Sequence, residues 1–300
     1  MIYLAQHEKW SQILEQAKEM PMGMYNMYVN YQINRALFHS GRLGDEMFSY
    51  IQDPAAQAMI ALEDERYVMR DMAISDIAME MGALNIAEHL SHELMEVSGV
   101  SPFLVERLFW INFGKKQYVN GRIFLNALTQ DLIQGARGRD LLRRLDVDPQ
   151  LSGSGKVRHL NAVVLEKDFA NIDLETLLLA LLEKNRFNRM AFEYLMGHYL
   201  MTRQVDKVVE NLHRLDDFGY REIPVHYEEA AYLFALNTGE DVELGWRRVH
   251  PETTERFKAF ARIMGDVGQP RQQEALLSFT NEFPGSYLIY YSFDRSGLLE

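Results

Sequence analysis

Apolar residues between Asp76 and Leu128 recur at helical spacing, and glycines break the pattern twice. Ile77, Met81 and Leu84, then Ile86, Leu90 and Leu94, follow the three-and-four spacing of a half-buried helix face. The pattern predicts a helix over 76–81, a break at Gly82 and a second helix over 83–97. A second pair is predicted over 102–113 and 117–133, broken at Gly114-Lys115-Lys116. Between the pairs, Gly99 supplies a stop and Ser101 an N-cap. Pro102 then serves as a first helical residue, whose missing N–H costs nothing. A shift of 32 residues superposes the pairs, carrying Met79 onto Ile111, Gly82 onto Gly114, Ile86 onto Tyr118 and Ala87 onto Val119.

The rest of the chain reads the same way. A helix is predicted over 2–18, with Trp10, Ile13, Leu14 and Ala17 on one face. A second spans 24–40 and stops at Gly41. A third opens on Asp45-Glu46, acids first as the helix dipole favours, and ends at Asp53-Pro54. Past 133 the periodicity loosens. A short helix over 139–145 leads into Asp148-Pro149-Gln150-Leu151-Ser152-Gly153-Ser154-Gly155, the stretch richest in helix breakers. Helical spacing resumes at Asp173 through Leu174, Leu177, Leu178 and Leu181. Helices over 188–201 and 205–215 form a pair, 225–236 follows Pro224, and 253–264 with 271–282 form the last pair. The tail from Tyr287 to Phe293 fits helix and strand spacing alike. This organisation predicts an N-terminal lobe over 1–146, a loop or hinge over 147–158 and a C-terminal lobe over 159–300, or one continuous solenoid.

Units of 32 to 34 residues made of two short helices resemble tetratricopeptide-like arrays. Trp110-x-x-Phe113-Gly114 is similar to the W-x-x-L-G opening of that repeat, although the following aromatic, Tyr118, sits one residue late. The same register places Gly114 inside a helix rather than in the turn. The resemblance implies an all-α fold, an α-solenoid of stacked antiparallel helix pairs, because one such hairpin cannot bury its apolar face alone. A second resemblance lies in Asn188-Arg189-Met190-Ala191-Phe192-Glu193-Tyr194-Leu195-Met196. It extends to Gly219-Tyr220…Pro224-Val225-His226-Tyr227-Glu228-Glu229-Ala230 and Ser101-Pro102…Leu108. These strings look like a bacterial family of unknown function, in which a multi-pass membrane half precedes a soluble helical-repeat half. The resemblance implies that this chain corresponds to the soluble half, in a membrane context. It supplies no activity and no catalytic residues.

Composition removes several function classes. With 47% hydrophobic residues the chain can build a core, and without cysteine it forms no disulfide or thiolate zinc site. No run approaches the 18 or so apolar residues of a membrane span, and His7-Glu8-Lys9 interrupts any signal-peptide core. The compartment stays unassigned. A net charge of −12 argues against a nucleic-acid partner, whose binding would require cancelling phosphate charge. The charge is uneven. Residues 1–100 carry 6 Lys/Arg against 15 Asp/Glu, residues 101–160 carry 10 against 5, and residues 161–300 carry 15 against 23.

Four groups could carry chemistry. Glu88, His89, His92 and Glu93 pair ligands four apart on a helix, yet the histidines are three apart where a zinc-protease motif needs four, so a solvated face is the expectation and no metal is assigned. Gly153-Ser154-Gly155-Lys156 evokes a phosphate loop, but Gln150 and Val157 stand where the motif needs Gly and Ser or Thr. That stretch reads as a linker, and no cofactor is expected. His226, Glu228 and Glu229 could form an acid–base group, although first-turn acids also serve the helix dipole. Met24, Tyr28, Tyr31, Arg35 and Phe38 form a stripe that more often packs one helix on another than binds a ligand.

The expected role is therefore a non-enzymatic interaction scaffold with a protein or peptide partner. The competing expectation is an enzyme or small-ligand receptor with a cavity near Tyr194, His198, His226 and Glu229. The basic middle adds a candidate anion-docking patch made of Arg137, Arg139, Arg143, Arg144, Lys156 and Arg158, against Asp140, Asp146 and Asp148. Its plain reading is a solvated run paired with acids. Its sharper reading is an orienting contact with an acidic partner or an anionic membrane surface.

Overall fold

The computed structural model describes residues 1–52, 59–60, 68–165, 173–266 and 277–292, and every element among them is helical. In chain order these are α1 (Ile2–Gln6), α2 (Trp10–Lys18), α3 (Met27–His39), α4 (Leu43–Glu46), α5 (Val68–Met81), α6 (Leu84–Ser98), α7 (Pro102–Gly114) and α8 (Tyr118–Leu128). Then come α9 (Gly135–Val147), α10 (Gly155–Val163), α11 (Leu174–Lys184), α12 (Arg189–Met201), α13 (Val205–Asn211), α14 (Val225–Thr238), α15 (Pro251–Asp266), α16 (277–282) and α17 (Tyr287–Ser292). The fold is all-α, as the spacing predicts. Two compact units emerge, one formed by Met1–Ala61 with Phe192–Glu300 and the other by Leu62–Ala191. The 147–158 stretch lies within the second unit.

Side-chain caps set several helix starts. Asn26 accepts from the N–H of Tyr28 and Val29 before α3, Ser101 from Leu104 N–H before α7, Ser154 from Val157 N–H before α10, and Asp173 from Thr176 N–H before α11. Helix ends follow a second rule. Glu8, Gly41, Gly82, Lys116 and Arg203 have φ of 55°, 67°, 98°, 59° and 59°. In each case the next N–H reaches back to the carbonyl five residues earlier: Lys9 to Leu4, Arg42 to Leu37, Ala83 to Ala78, Gln117 to Asn112 and Gln204 to Tyr199, all at 2.8 Å. This is the left-handed helix stop that satisfies the last carbonyls. The residue after the left-handed one is at once the N-cap of the next helix, so stop and start share one turn.

The shared turn explains where the spacing misplaces boundaries. The single helix expected over 2–18 is divided at Glu8. The helix expected over 117–133 ends at Leu128, because the Asp131 carboxylate accepts from Ile133 N–H at 2.9 Å and Gln134 N–H at 2.6 Å and folds the chain into a turn. Helix α9 then starts at Gly135 rather than 139. Helix α5 extends back to Val68, and the tail at Tyr287 is helical. The expected stop at Asp53-Pro54 and the start of a helix at 271 lie outside the described residues.

In the second unit α5, α6, α7, α8 and α9 each pack on the next, and α10 returns onto α7 and α5. Ser75 and Ser91 let α5 and α6 approach closely. Their hydroxyls are 3.0 Å apart, and both donate to Ala87 carbonyl. The buried Arg107 guanidinium donates to Asp76, tying α7 to α5, and lies 4.4 Å from the Phe103 ring centroid. Gly82 is forced twice. Its φ is left-handed, and a Cβ there would sit 2.2 Å from Val163 carbonyl oxygen.

In the first unit α14 is central, packing on α4, α13, α15 and α17. It is buried continuously from His226 to Ala231. Farther along the chain's start, Trp10 stacks on His39 with centroids 4.2 Å apart, and Arg35 lies 5.0 Å from the Trp10 centroid. Of the aromatic stripe, Tyr31 and Arg35 are buried and Met24 is exposed. Asn34 and Gln52 exchange amide hydrogen bonds of 3.1 and 3.2 Å in the core.

Candidate functional site

Helix α14 carries three ionisable side chains, His226, Glu228 and Glu229, into the interior of the first unit, and all three are fully buried. Charges buried this way are costly unless paired, and each is paired. The α14 start itself is fixed from α4, where Asp45 accepts from Val225 N–H at 2.8 Å.

Glu229 is the centre. Its Oε1 accepts from Arg256 Nη1 at 2.9 Å and from Ser286 hydroxyl at 2.8 Å. Its Oε2 accepts from Tyr287 N–H at 2.7 Å and faces His226 Nδ1 at 3.4 Å. One carboxylate therefore joins α14 to α15 and to the start of α17. Burial pushes its carboxyl up, but the hydrogen bond and charge of His226 and the Arg256 guanidinium outweigh that and hold it below the usual glutamate range. His226 Nε2 in turn faces Phe48 N–H at 3.5 Å. Both ring nitrogens are thus occupied by protein groups. Burial also lifts the Tyr287 hydroxyl well above its ordinary value.

Glu228 makes a second clamp. Its Oε1 accepts from His250 N–H at 3.0 Å and from His250 Nδ1 at 2.7 Å, just before α15. Glu222 lies 3.4 Å from the other ring nitrogen. Burial lowers the His250 pKa, and the Glu228 hydrogen bond and charge, aided by Glu222, raise it by more, so the ring holds its proton above the ordinary histidine range. Nearby, Arg247 donates to Tyr220 carbonyl at 2.8 Å and pairs with Asp216 at 2.7 Å, while Tyr220 hydroxyl donates to Glu193 at 2.6 Å. The arrangement is chemically a set of clamps that tie α4, α15 and the start of α17 to α14.

Tyr194 and His198 lie one turn apart on α12. Tyr194 is fully buried, with its ring edge against Phe38 at 6.3 Å, and His198 lies 5.8 Å from the Tyr199 ring. The spacing in the chain singles out His226, Glu228 and Glu229. Arg256, His250 and Ser286 carry no such signal, since they reach the site only through tertiary folding.

In the second unit the basic residues stand mostly on the open face of α9. Arg137 pairs with Glu106 at 2.7 Å, Arg143 and Arg144 with Asp140 at 3.2 and 2.9 Å, and Arg139 donates to Thr129 carbonyl at 3.2 Å. On α10 the Lys156 ammonium lies 4.8 Å from the Trp110 centroid, and Arg158 is exposed. The stretch before α10 is closed by Asp148, which accepts from Gln150 and Gly153 N–H and from Ser152 hydroxyl. Those bonds, with Gly153 N–H foremost, hold its carboxyl low. On α6, Glu88 pairs with Lys115 at 2.6 Å and His89 with Glu93 at 3.2 Å. Among the described residues no group of three or more His, Cys, Asp or Glu side chains is placed to hold a metal ion, and no helix is long and apolar enough to cross a membrane.

No curated protein and no solved structure matches the chain. A model of a protein family does, over residues 1–294, and by that match the chain belongs to the family described as a family of unknown function (DUF6057).

Proposed function

We propose that the chain is an interaction scaffold whose helical hairpins stack in tetratricopeptide-like fashion and offer their open faces to a protein or peptide partner. The observation that carries this reading is the recurring turn. Glu8 and Gly41 are 33 residues apart and Gly82 and Lys116 are 34 apart, and all four are the left-handed residue of the same helix-stop, helix-start geometry. That interval is the period of two-helix repeats. The serial packing of α5 through α9, each helix on the next, supports the same reading. Such arrays present extended surfaces suited to peptides and protein partners. The ionisable side chains of α14 are spent on tying helices together, which fits a chain whose function lies on its surface.

The test is site-specific photo-crosslinking in the native host, with the reactive amino acid placed in turn along α5 to α9. A scaffold gives a discrete adduct whose identified protein then binds the purified chain saturably. No discrete adduct from any position, or an adduct protein with no affinity for the purified chain, sinks the reading.

A further inference from the structure

The hairpin of α8 and α9 leaves large aliphatic side chains outside the core. Val119 and Ile123 are exposed on α8, and Val147 at the end of α9. Between them, Leu132 is 101% exposed and Ile133 85% exposed, as open as in an extended chain. The turn that carries them is nonetheless fixed. Asp131 bonds the N–H groups of Ile133 and Gln134, Arg139 bonds Thr129 carbonyl, and Gly135 and Gly138 lie so close to the Thr129 backbone that a Cβ on either would meet it within 3.0 Å. Two adjacent aliphatic side chains held outward on a built turn are an informative exposure, unlike single apolar residues scattered on a surface.

Arg137, Arg143 and Arg144 follow on the open face of α9, with side chains 60%, 77% and 68% exposed. Pairs between groups this exposed are worth little, so Arg143 and Arg144 can exchange Asp140 for a phosphate at small cost, whereas the partner of Arg137, Glu106, is only 16% exposed. Glu106 would keep a partner, because Trp110 Nε1 donates to it at 3.0 Å.

We infer that this turn is a docking point for an anionic lipid surface. Leu132 and Ile133 enter the boundary between headgroups and acyl chains, while Arg137, Arg143 and Arg144 engage lipid phosphates. A protruding pair suits a fluid bilayer, which closes around it, whereas a folded partner would have to supply a matching pocket. Charge complementarity selects acidic lipid. Residues 101–160 carry 10 Lys/Arg against 5 Asp/Glu in a chain of net charge −12, so an acidic bilayer attracts this segment and repels the rest. Two aliphatic side chains and three arginines give reversible rather than permanent attachment. The inference is independent of the scaffold reading, since one concerns lipid and the other a protein partner.

The test is flotation of the purified full chain with vesicles of phosphatidylcholine alone and of phosphatidylcholine with phosphatidylglycerol, at low and high salt. Binding to the acidic vesicles only, weakened by salt, is expected. The double variant Leu132→Ser with Ile133→Ser should melt as the wild type does and lose bound fraction by about tenfold or more, the loss expected when two aliphatic side chains no longer leave water. The triple variant Arg137→Gln, Arg143→Gln and Arg144→Gln should lose the preference for acidic vesicles. Equal recovery on both vesicle types, no flotation, or wild-type flotation of the serine variant overturns the inference. So does loss of a crosslinked protein partner in the serine variant with vesicle binding unchanged, which would reassign the turn to protein docking.

Discussion

Gly82 and Lys116 hold the same place in the chain's architecture: each is the left-handed residue that ends one helix, and each precedes the N-cap of the next. Their surroundings differ. At Gly82 the left-handed φ of 98° coincides with Val163 carbonyl pressed against the α-carbon, while Lys116 is exposed at φ 59°. Opposite responses to substitution follow. Gly82→Ala adds strain and a backbone clash and should cost more than about 1 kcal/mol, the usual scale for a side chain forced into this conformation. Lys116→Gly relieves a strained residue and should stabilise by up to about 1 kcal/mol. Chemical denaturation of both variants measures the pair; equal signs would refute the shared-turn account.

This relationship also shows how far the sequence could be read. The helices, and the pairing of α5 with α6 and of α7 with α8, follow from apolar spacing and caps. The register does not. Glycine marks the turn at Gly41 and Gly82, whereas Glu8, Lys116 and Arg203 adopt the same conformation without any residue-level signal. A reading that follows glycines aligns Gly82 with Gly114 and finds 32 residues, although Gly114 is the last residue of α7 and the equivalent of Gly82 is Lys116, at 34. The same blindness hides the break at Glu8. Leu132 and Ile133 fit a helical stripe continued from α8, and only the side-chain bonds of Asp131 take them out of it. On α14 the acidic group is visible in the chain, but its partners on other elements lie 22 to 58 residues away, beyond any local pattern.

Glu229 should be the most sensitive ionisable residue of the first unit. Glu229→Ala leaves Arg256, Ser286 hydroxyl and Tyr287 N–H without their acceptor. Removing one member of a buried charged pair costs about 3 kcal/mol or more. Because the folded carboxyl titrates below its unfolded value, its stabilisation is fully present above about pH 4.3, the ordinary glutamate pKa, and fades as pH falls through the folded pKa. Melting curves of wild type and Glu229→Gln should therefore converge as the solution is acidified. A gap that widens toward acid would contradict the assignment.

His250 should act in the opposite direction. Its folded pKa is raised by Glu228 and Glu222 against the pull of burial. A raised histidine stabilises fully below about pH 6.5, its unfolded value, and loses that contribution as pH rises through the folded pKa. The wild type should lose stability across that interval, and His250→Gln should lose less. Proton-resolved titration of the His250 ring provides a direct check, and a midpoint at or below the ordinary value would sink the prediction.

The buried pair between Asp76 and Arg107 separates stability from necessity. Both side chains are nearly inaccessible, and the pair joins α5 to α7 across the second unit. Two charges withdrawn from water recover through mutual attraction about what their desolvation cost, so the pair contributes little net stability. Losing one member is another matter, because it strands the other charge in the interior. Asp76→Ala should therefore destabilise by about 3 kcal/mol or more. Adding Arg107→Met, which restores an apolar neighbour of similar reach beside Phe103, should recover most of that loss. A double-mutant cycle read by denaturant unfolding distinguishes the outcomes. If the double variant is as unstable as the sum of its single changes, the two side chains are not coupled and the stranded-charge argument fails for this site.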